Sequence, residues 1–335
     1  MIEEAILRLV RKEDLPDAVA EQAMDEMMGG QTTPVQIGAF LTALAEKGQT
    51  IEEVTACARG MRKHCVKLLN DQEALEIVGT GGDKANSFNI STISSLVVSA
   101  AGVPVAKHGN RAATSKCGAA DVLEALGVKI DLAPEKSARL LEELHICFMF
   151  AQNYHLSMKY VAPVRKELPF PTVFNILGPL TNPAGASMQL MGVYAEDLVE
   201  PLGHVLNNLG VTKAMVVYGQ DGLDEISASA PTTVCEVRDG KYTSYVLTPE
   251  QFGMVRCQKS DLVGGSPAEN AQIAREILGG SKGGKRNAVV LNSAAALHIA
   301  QGISMEEAIQ EAEEILDSGK AMEQLEQFVA RSNQI

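Results

Sequence analysis

A glycine-rich segment at residues 79–82 reads GTGG and follows a short apolar run, residues 75–78, that favours a β-strand. Because such a turn carries almost no side chains, its backbone N–H groups can approach an anion closely. Residues 89–92, which read NIST, then begin a predicted helix, and the free N–H groups at a helix N-terminus suit a phosphate. Asp83 would repel a bare phosphate, so a cation or a hydroxyl is expected beside it. This stretch predicts a phosphate-binding site.

A second polar segment, residues 107–111, reads KHGNR and follows another predicted strand at residues 103–106. Neither segment is a Walker A loop, because no Gly-Lys-Ser/Thr follows, and the glycine spacing does not match the dinucleotide-binding fingerprint. Two strand-to-loop phosphate sites that could face each other predict a ligand with two phosphate-bearing ends.

Asp224 and Glu225 are adjacent carboxylates that follow a predicted strand at residues 213–218 and a glycine-containing loop. Paired carboxylates can bind hard cations through oxygen, although a solvated acidic loop looks the same in sequence.

Arg165 could pair with a substrate carboxylate or form a surface salt bridge. His108 could contact an aromatic substrate or be purely structural. The sequence contains no evident Ser-His-Asp or Cys-His arrangement for nucleophilic catalysis.

The 335 residues carry a formal net charge of −13, which argues against nonspecific binding to nucleic acid or to an anionic membrane. In so acidic a chain an anionic substrate must be met by local cations, and Lys107, Arg111 and Arg165 are the candidates. No apolar run approaches the roughly 20 residues that span a bilayer, and the acidic, amphipathic start is unlike a signal peptide. The six cysteines form no CxxC pair, so we expect reduced thiols in a cytoplasmic protein.

Residues 1–68 show the periodicity of helices only, including a capping-box pattern at Thr50 and Glu53. Their apolar faces are wide for so few helices, so we expect part of them to pack on another subunit. From residue 75 strands alternate with helices, which predicts a mainly parallel central sheet flanked by helices. The predicted strands are residues 75–78, 103–106, 128–131, 146–151, 188–194 and 213–218, and the predicted helices are 90–101, 118–126, 134–144, 154–168 and 196–209. The fold class is therefore α/β, with a smaller all-α N-terminal domain, a hairpin at 232–247 and a helical tail at 267–332.

Seven segments together resemble the anthranilate phosphoribosyltransferases, a family of the nucleoside phosphorylase-like phosphoribosyltransferase fold. They are GTGGD at 79–83, NIST at 89–92, KHGNR at 107–111, ADVLEALG at 120–127, MKYVAPVR at 158–165, FNILGPLTNPA at 174–184 and DGLDE at 221–225. Their order and spacing match the family essentially end to end. The resemblance implies a small helical domain, residues 1–70 joined by a helical segment near 165–185, and a large α/β domain, residues 71–335.

The resemblance implies transfer of the phosphoribosyl group of phosphoribosyl pyrophosphate to the amine of anthranilate, with release of pyrophosphate, in tryptophan biosynthesis. It also implies a homodimer and two Mg²⁺ ions per subunit. The residues it assigns to Mg²⁺ are Ser91, Asp224 and Glu225, and those it assigns to anthranilate are Gly79, Asn110 and Arg165. The residues it assigns to phosphoribosyl pyrophosphate are Gly79, Thr80, Gly81, Gly82, Asp83, Ser87, Asn89, Ile90, Ser91, Thr92, Lys107, His108, Gly109, Asn110, Arg111, Ala112, Ala113, Thr114, Ser115 and Ala119. No catalytic residue is assigned firmly, and His108 is the candidate.

The sequence departs from the family pattern at a few positions. Ala119 stands where a small polar residue is common, and residues 169–171 read Pro-Phe-Pro where Gly, a variable residue and Arg are common. We therefore expect changes in substrate affinity, with the phosphate and metal motifs intact. A pyrimidine nucleoside phosphorylase has the same fold but needs no metal pair, which the DGLDE segment at 221–225 argues against. A paralogue that binds nucleic acid would need a basic surface, which the net charge argues against.

Overall fold

The protein is described by a computed structural model, which covers residues 1–112 and 115–335. The chain begins with four helices, α1 (Ile2–Val10), α2 (Asp17–Met28), α3 (Pro34–Lys47) and α4 (Ile51–Lys63). The Thr50 side chain accepts a hydrogen bond from the Glu53 N–H at the start of α4, and the Glu53 side chain accepts one from the Thr50 N–H. The predicted helical region and its capping box are therefore confirmed.

A seven-stranded sheet follows the helical region. Its strands are β1 (Leu75–Gly79), β2 (Val105–Gly109), β3 (Ile146–Phe150), β4 (Met188–Gly192), β5 (Lys213–Gly219), β6 (Thr232–Arg238) and β7 (Lys241–Leu247). They lie in the order β3-β2-β1-β4-β5-β6-β7. β1 to β5 are parallel, and β6 and β7 form the predicted antiparallel hairpin at one edge. The predicted α/β fold, with a small all-α N-terminal domain, is confirmed.

The remaining helices flank the sheet or form its crossovers. They are α5 (Ile90–Ala100), α6 (Ala119–Leu126), α7 (Pro134–Leu144), α8 (Ala151–Tyr154), α9 (Ala162–Glu167), α10 (Phe174–Leu177), α11 (Val199–Asn208), α12 (Pro267–Leu278), α13 (Gly284–Gln301), α14 (Met305–Asp317) and α15 (Lys320–Gln334). Among the described helices none is by itself long and apolar enough to cross a bilayer, and only the bent pair of α13 and α14 passes that test, by length and composition.

Two apolar clusters cover the two faces of the sheet. Successive residues of a strand point to opposite faces, so Leu190 belongs to the cluster with α5 and α13 while Met191 belongs to the other. The second cluster contains the N-terminal helices, α11 and the segment with Val173 and Leu177. The helical region and the segment near 165–185 therefore share one core, which packs on the sheet face opposite α5.

Two predicted elements are wrong. Residues 128–131 form no strand: Lys129 N–H donates to Ser332 Oγ (3.0 Å), so this extended segment runs along α15 and not along a neighbouring strand. The predicted helix at 154–168 is three short pieces, α8, a 3₁₀ turn at Leu156–Tyr160 and α9. Pro163 has no N–H to continue a helix and starts α9 instead.

The second strand is displaced from its predicted position. β2 begins at Val105 and not at residue 103. Pro104 has no N–H to donate to a sheet, although its carbonyl accepts from Leu75 N–H at 2.8 Å. The shift places Lys107 and His108 inside the strand and not in the loop after it.

Candidate active site

The carboxyl ends of β1 and β4 lie where the strand order reverses, which is where open α/β sheets bind their ligands. Gly79 and Gly192 end these strands and are register partners. A Cβ on either glycine would overlap Asp224, so only glycine lets the loop that carries Asp224 lie across both strand ends. Thr80 N–H donates to Gly192 O at 2.9 Å, which joins the predicted turn to β4.

The predicted glycine turn lies against this loop. Gly81 N–H donates to Asp224 Oδ2 at 2.7 Å. Gly81 and Gly82 have φ angles of 68° and 81°, in the left-handed region that glycine enters without strain. The backbone of the turn therefore lies directly beside the carboxylate of Asp224, with hardly any side chain between them.

Asp224 and Glu225 are each only 8% exposed at this edge of the sheet. Glu225 Oε1 accepts a hydrogen bond from the Ser91 N–H at the start of α5 (3.1 Å), so the three predicted metal-binding residues lie together. Asp83 Oδ2 lies 3.5 Å from Asp224 N–H and adds a third carboxylate. Burial, and then the charge of Asp83, raises the pKa of Asp224 well above its usual range, and burial raises that of Glu225 to about 7.

Lys107 is the buried cation among these carboxylates. Its Nζ donates to Ile77 O (2.7 Å) and to Ser91 Oγ (3.4 Å). Burial lowers the pKa of Lys107 to about 8, and the charges of Glu225 and Glu76 oppose that shift. The charges that act on Asp224 are those of Asp83 and Glu225, and a divalent cation with oxygen ligands would neutralise this negative group.

The oxygen ligands of this cluster suit Mg²⁺. They are too few for a metal that is bound by protein side chains alone. Mg²⁺ is commonly held by one or two carboxylates together with substrate phosphates. Within residues 1–112 and 115–335, no group of three or more His, Cys, Asp or Glu side chains is arranged to hold a metal alone. Asp224, Glu225 and Ser91 would therefore supply part of the coordination, and phosphate oxygens the rest.

Arg111 lies in the second predicted phosphate segment but faces α6 here. Its guanidinium pairs with Asp121 Oδ1 (3.0 Å) and Glu124 Oε2 (2.8 Å), and it lies 5.6 Å from the centroid of the Phe150 ring. The hydrogen bonds to Glu124 and then Asp121 raise the pKa of Arg111. Its predicted contact with phosphoribosyl pyrophosphate stays a prediction.

His108 and His155 form a buried pair on the other sheet face, with ring centroids 4.9 Å apart. Each is 6% exposed, and His108 Nε2 and both ring nitrogens of His155 have no hydrogen-bond partner among the described residues. Burial lowers the pKa of His108 to about 3 and that of His155 to about 4, so both imidazoles are neutral near pH 7.

Arg165 lies on α9, with its guanidinium 5.2 Å from the centroid of the Phe174 ring. Burial lowers its pKa, and no carboxylate in the described part of the chain lies within salt-bridge distance. The surface salt bridge that the sequence left open is therefore not formed. A mostly buried guanidinium fork without a carboxylate suits a substrate carboxylate.

Comparison with known proteins identifies the family. Residues 71–322 match the glycosyl transferase family a/b domain, and residues 3–65 match the glycosyl transferase family helical bundle domain. The anthranilate phosphoribosyltransferase of Methanobrevibacter smithii is 64% identical over 334 residues, which cover 99% of this chain and 100% of the relative. That of Lachnoclostridium phytofermentans is 62% identical over 334 residues, 99% of each chain. This chain belongs to the anthranilate phosphoribosyltransferases.

Solved structures of anthranilate phosphoribosyltransferases have the same fold. The enzyme of Thermus thermophilus superimposes with a TM-score of 0.93 at 42% identity, over 98% of this chain and 99% of that one. The Saccharomyces cerevisiae enzyme in complex with PRPP and Mg superimposes with a TM-score of 0.92 at 28% identity, over 100% of this chain and 98% of that one. The family's members are transferases of tryptophan biosynthesis, and this chain is such an enzyme.

The structure divides the predicted site residues of this phosphoribosyltransferase into groups. Ile90 and Thr92 are each 1% exposed, so only their backbone can contact a substrate. Asn89 Nδ2 donates to Cys117 O (3.2 Å) and thereby joins the two predicted phosphate segments. Ser87 pairs with Val263 in an isolated bridge beside the turn. Ala113 and Thr114 lie outside the described residues.

Three residues of this anthranilate phosphoribosyltransferase site were missed or undervalued from sequence. Gly192 follows an apolar strand and could have been recognised by its position at the strand's carboxyl end. Nothing in the sequence indicates that His155 faces His108. Asp121 lies at the third position of α6, where its carboxylate accepts hydrogen bonds from the N–H groups of Ala112 and Gly118. In the sequence, only an acidic residue in the first turn of a predicted helix signals this.

Proposed function

We propose that this chain performs the family's reaction at the carboxyl ends of β1, β2 and β4. The phosphoribosyl group of phosphoribosyl pyrophosphate is transferred to the amine of anthranilate, giving N-(5-phosphoribosyl)anthranilate and pyrophosphate. The observation that carries this proposal is one hydrogen-bonded cluster, in which Gly81 N–H reaches Asp224, Ser91 N–H reaches Glu225 and Lys107 reaches Ser91. It combines backbone donors, a cation and paired carboxylates in one place, as a metal-bound pyrophosphate requires.

Phosphoribosyl pyrophosphate is bound by the turn at 79–83, the start of α5 at 87–92 and the segment at 107–115 with Ala119. The first two supply mainly N–H donors, since Ile90 and Thr92 bury their side chains. Lys107 supplies charge from beneath the site. The adjacency of β1 to β2 and to β4, whose carboxyl ends precede or face these segments, supports these assignments.

Ser91, Asp224 and Glu225 hold Mg²⁺, with two ions per subunit. The carboxylates of Asp224 and Glu225 support one divalent ion at this edge, and the pyrophosphate group of the substrate brings the further negative charge that a second ion would balance. When bound, Mg²⁺ neutralises the pyrophosphate and improves it as a leaving group.

Anthranilate is bound by Gly79, Asn110 and Arg165. The guanidinium of Arg165 pairs with the substrate carboxylate, because it has no such partner in the described chain. His108 contacts the aromatic substrate through its unpaired Nε2. A pKa of about 3 makes His108 a weak general base, so we assign it to orientation and not to proton removal.

An aromatic amine next to a carboxylate is a poor nucleophile. Catalysis therefore rests on holding the nitrogen near the anomeric carbon and on stabilising the departing pyrophosphate. The bond from the anomeric carbon to nitrogen forms as the bond to the pyrophosphate oxygen breaks, and the amine nitrogen then releases one proton.

A direct assay tests the function. The purified chain, given phosphoribosyl pyrophosphate and Mg²⁺, should consume the fluorescence of anthranilate and release pyrophosphate in equal amounts. Phosphorolysis of a pyrimidine nucleoside, with no loss of anthranilate, would instead favour the phosphorylase alternative.

We further infer a homodimer formed by the N-terminal helices. Leu7 and Val10 on α1 are 59% and 68% exposed, and Val35 on α3 is 80% exposed. Large apolar side chains on two helices that pack together favour burial against a second copy. Sedimentation of a monomer at micromolar concentration would refute the dimer, and Val35→Glu should weaken it.

The division into domains and the location are also proposals. The core shared by the N-terminal helices with Val173 and Leu177 supports a small domain of residues 1–70 plus the segment near 165–185, with residues 71–335 as the large domain.

Six free cysteines support a reducing, cytoplasmic location. The net charge of −13 supports small-molecule substrates and the absence of nucleic-acid and membrane partners. Cell fractionation tests the location.

A further inference from the structure

Asn292 is a completely buried polar residue in the middle of α13. The apolar side chains on either side of it, at residues 289–291 and 294–297, are buried as well. Burial of an amide in such surroundings costs free energy unless its donors and its acceptor are hydrogen-bonded. The partners of this amide therefore indicate why an asparagine is present here.

The amide of Asn292 is fully hydrogen-bonded, and it makes two of its bonds to the backbone of a single residue. Its Oδ1 accepts a hydrogen bond from Ile226 N–H at 3.0 Å, and its Nδ2 donates to Ile226 O at 2.9 Å. Nδ2 also donates to Ala288 O, one turn earlier in α13, at 2.8 Å. Because that third bond holds the amide against its own helix, Asn292 has one fixed orientation toward Ile226.

Ile226 directly follows Glu225, which is assigned to Mg²⁺. The N–H that Asn292 accepts belongs to the peptide group between Glu225 and Ile226, so the amide fixes the backbone on the carboxyl side of Glu225. The Ile226 side chain is buried in the apolar cluster that also contains the side chains of α13. The backbone that follows the paired carboxylates is therefore held both by its peptide groups and by a buried side chain.

The same helix is bonded to the element that carries Ser91, the third residue assigned to Mg²⁺. α13 packs against α5, and Ser94 Oγ of α5 donates to Val289 O at 3.3 Å. Ser91 N–H, at the start of α5, donates to Glu225 Oε1 at 3.1 Å. One helix thus supports both elements whose side chains are assigned to the metal, and Asn292 is its contact with the loop that carries Glu225.

We propose that Asn292 is a positioning residue for the divalent cation, because its amide fixes the backbone that carries Glu225 relative to Ser91. The proposal rests on the proposed function, since it takes these two residues as ligands of Mg²⁺. Asn292 itself does not touch the metal or a substrate. Mg²⁺ needs a nearly ideal octahedron of oxygen atoms, so a carboxylate on a displaced backbone should bind it more weakly.

The test compares two substitutions of Asn292. Asn292→Leu has a similar volume and removes all three hydrogen bonds. Asn292→Ser keeps a hydroxyl that can donate to Ala288 O in the preceding turn, and the space that it opens can hold a water bonded to Ile226. Its effect should therefore be intermediate, and it covers the case in which Asn292→Leu does not fold.

Gln324→Met is the matched control. Gln324 is a largely buried amide of α15, and its Nε2 donates to Ser99 Oγ (3.1 Å) and to Leu144 O (2.6 Å). Neither partner belongs to the metal-binding cluster. This variant therefore reports the loss of a buried amide without a change in the loop that carries Glu225.

We expect Asn292→Leu to raise the apparent activation constant for Mg²⁺ about tenfold or more, since the hydrogen bonds of a buried amide are lost. The KM for anthranilate should change less than about twofold. The melting temperature should fall in Asn292→Leu and in Gln324→Met, but Gln324→Met should keep the Mg²⁺ constant of wild type within about twofold. Calorimetric titration with magnesium pyrophosphate gives the same comparison without turnover, and Asn292→Leu should bind it about tenfold more weakly.

Wild-type values of the Mg²⁺ constant and of the affinity for magnesium pyrophosphate in both Asn292 variants would overturn the positioning role. An equal loss in Gln324→Met would also overturn it, because the effect would then come from reduced stability. Wild-type transferase activity decides the proposed function separately. An inactive wild type that still binds magnesium pyrophosphate more tightly than Asn292→Leu would refute the reaction and leave the positioning role in place.

Discussion

The residues proposed to bind phosphoribosyl pyrophosphate (the phosphate side) and those proposed to bind anthranilate (the anthranilate side) differ in how their polar groups are satisfied. On the phosphate side, the Gly81 N–H donates to Asp224, and Ser91 at the start of α5 joins Glu225 to Lys107. On the anthranilate side, His108 and His155 have ring nitrogens without protein partners, and Arg165 meets an aromatic ring but no carboxylate within the described residues.

The ligand proposed for each side accounts for this difference. A pyrophosphate with divalent ions has a high charge density. A site for it needs hydrogen-bond donors and charged groups that are already fixed in position before the ligand binds. Anthranilate is mostly apolar with one carboxylate and one amine, so a buried pocket with few unpaired polar groups suffices to orient it. Substitutions on the two sides should therefore affect different substrates and by different amounts.

The largest effect is expected on the phosphate side, from Asp224→Asn combined with Glu225→Gln. Loss of both carboxylates removes the hard-cation ligands, so turnover at limiting magnesium should fall by orders of magnitude. A magnesium titration of initial rates measures this. Asp239→Asn, in the turn between β6 and β7, makes a matched change of charge away from the cleft and should leave the rates unchanged. Rates that do not depend on magnesium in either enzyme would contradict the metal assignment.

On the anthranilate side, Arg165→Ala should act mainly on one substrate. Loss of a charge-assisted pair in a desolvated site weakens binding by about 2–5 kcal/mol, which is roughly 30-fold or more. The KM for anthranilate should rise by that factor, and the KM for phosphoribosyl pyrophosphate should change little. Lys166→Ala removes the neighbouring exposed cation of α9 and serves as the control. Parallel changes in both constants would make Arg165 a structural residue.

The same contrast explains what the sequence could predict. The phosphate side consists of contiguous motifs at strand ends, such as residues 79–83 and 107–111, so its residues were found together. The pairing of His108 with His155 depends on where two separate elements meet, and Arg165 lies on a helix that Pro163 separates from the preceding turn. Local patterns contain no information about such contacts between elements.

The errors in secondary structure have a similar cause. Residues 128–131 alternate between apolar and polar as a strand does, and Val128 and Ile130 are indeed buried. A strand also needs a neighbour with free backbone groups, and here α15 provides the contact through Ser332. Burial was predictable from the alternation, but the partner was not.

A smaller effect is expected on the pH dependence of the free energy of unfolding, to which His155 on the anthranilate side contributes. Burial lowers the folded pKa of His155 to about 4, below an unfolded value of about 6.5. Between these values the unfolded chain binds more protons, so stability is full above about pH 6.5 and falls as the pH decreases toward 4. The slope from one such group is at most about 1.4 kcal/mol per pH unit. His155→Gln should flatten this slope in urea unfolding measured from pH 7 to pH 5.

The control for this measurement is His64→Gln on α4's C-terminal side, where the imidazole is partly exposed and bonded to Asp25 at 2.7 Å. The acid slope assigned to His155 should remain in this variant, because His155 itself is unchanged. A slope that survives His155→Gln unchanged would show that other groups, and not the anthranilate side, determine the acid sensitivity.

The smallest effect is expected from Ala119→Ser, on the phosphate side. Ala119 begins α6, and its Cβ lies 3.0 Å from the position that a Cβ on Gly109 would occupy, so the side chain faces the carboxyl end of β2. A serine there would add a hydroxyl donor at the start of α6, beside the strand end where the phosphate is predicted to bind. Alanine keeps the helix but has no donor.

A hydrogen bond to a charged partner typically contributes about 1.5–3 kcal/mol, and a bridging water in place of a missing hydroxyl reduces the difference between two variants. The Gly79–Gly82 turn and Lys107, which are proposed to bind the phosphates, are the same in either variant. We therefore expect Ala119→Ser to lower the KM for phosphoribosyl pyrophosphate severalfold and to leave the KM for anthranilate nearly unchanged. Steady-state kinetics with each substrate varied in turn measures both. An unchanged KM for phosphoribosyl pyrophosphate would place the start of α6 too far from the phosphate for a hydroxyl to matter, and a changed KM for anthranilate would contradict the division of the cleft into two separate sides.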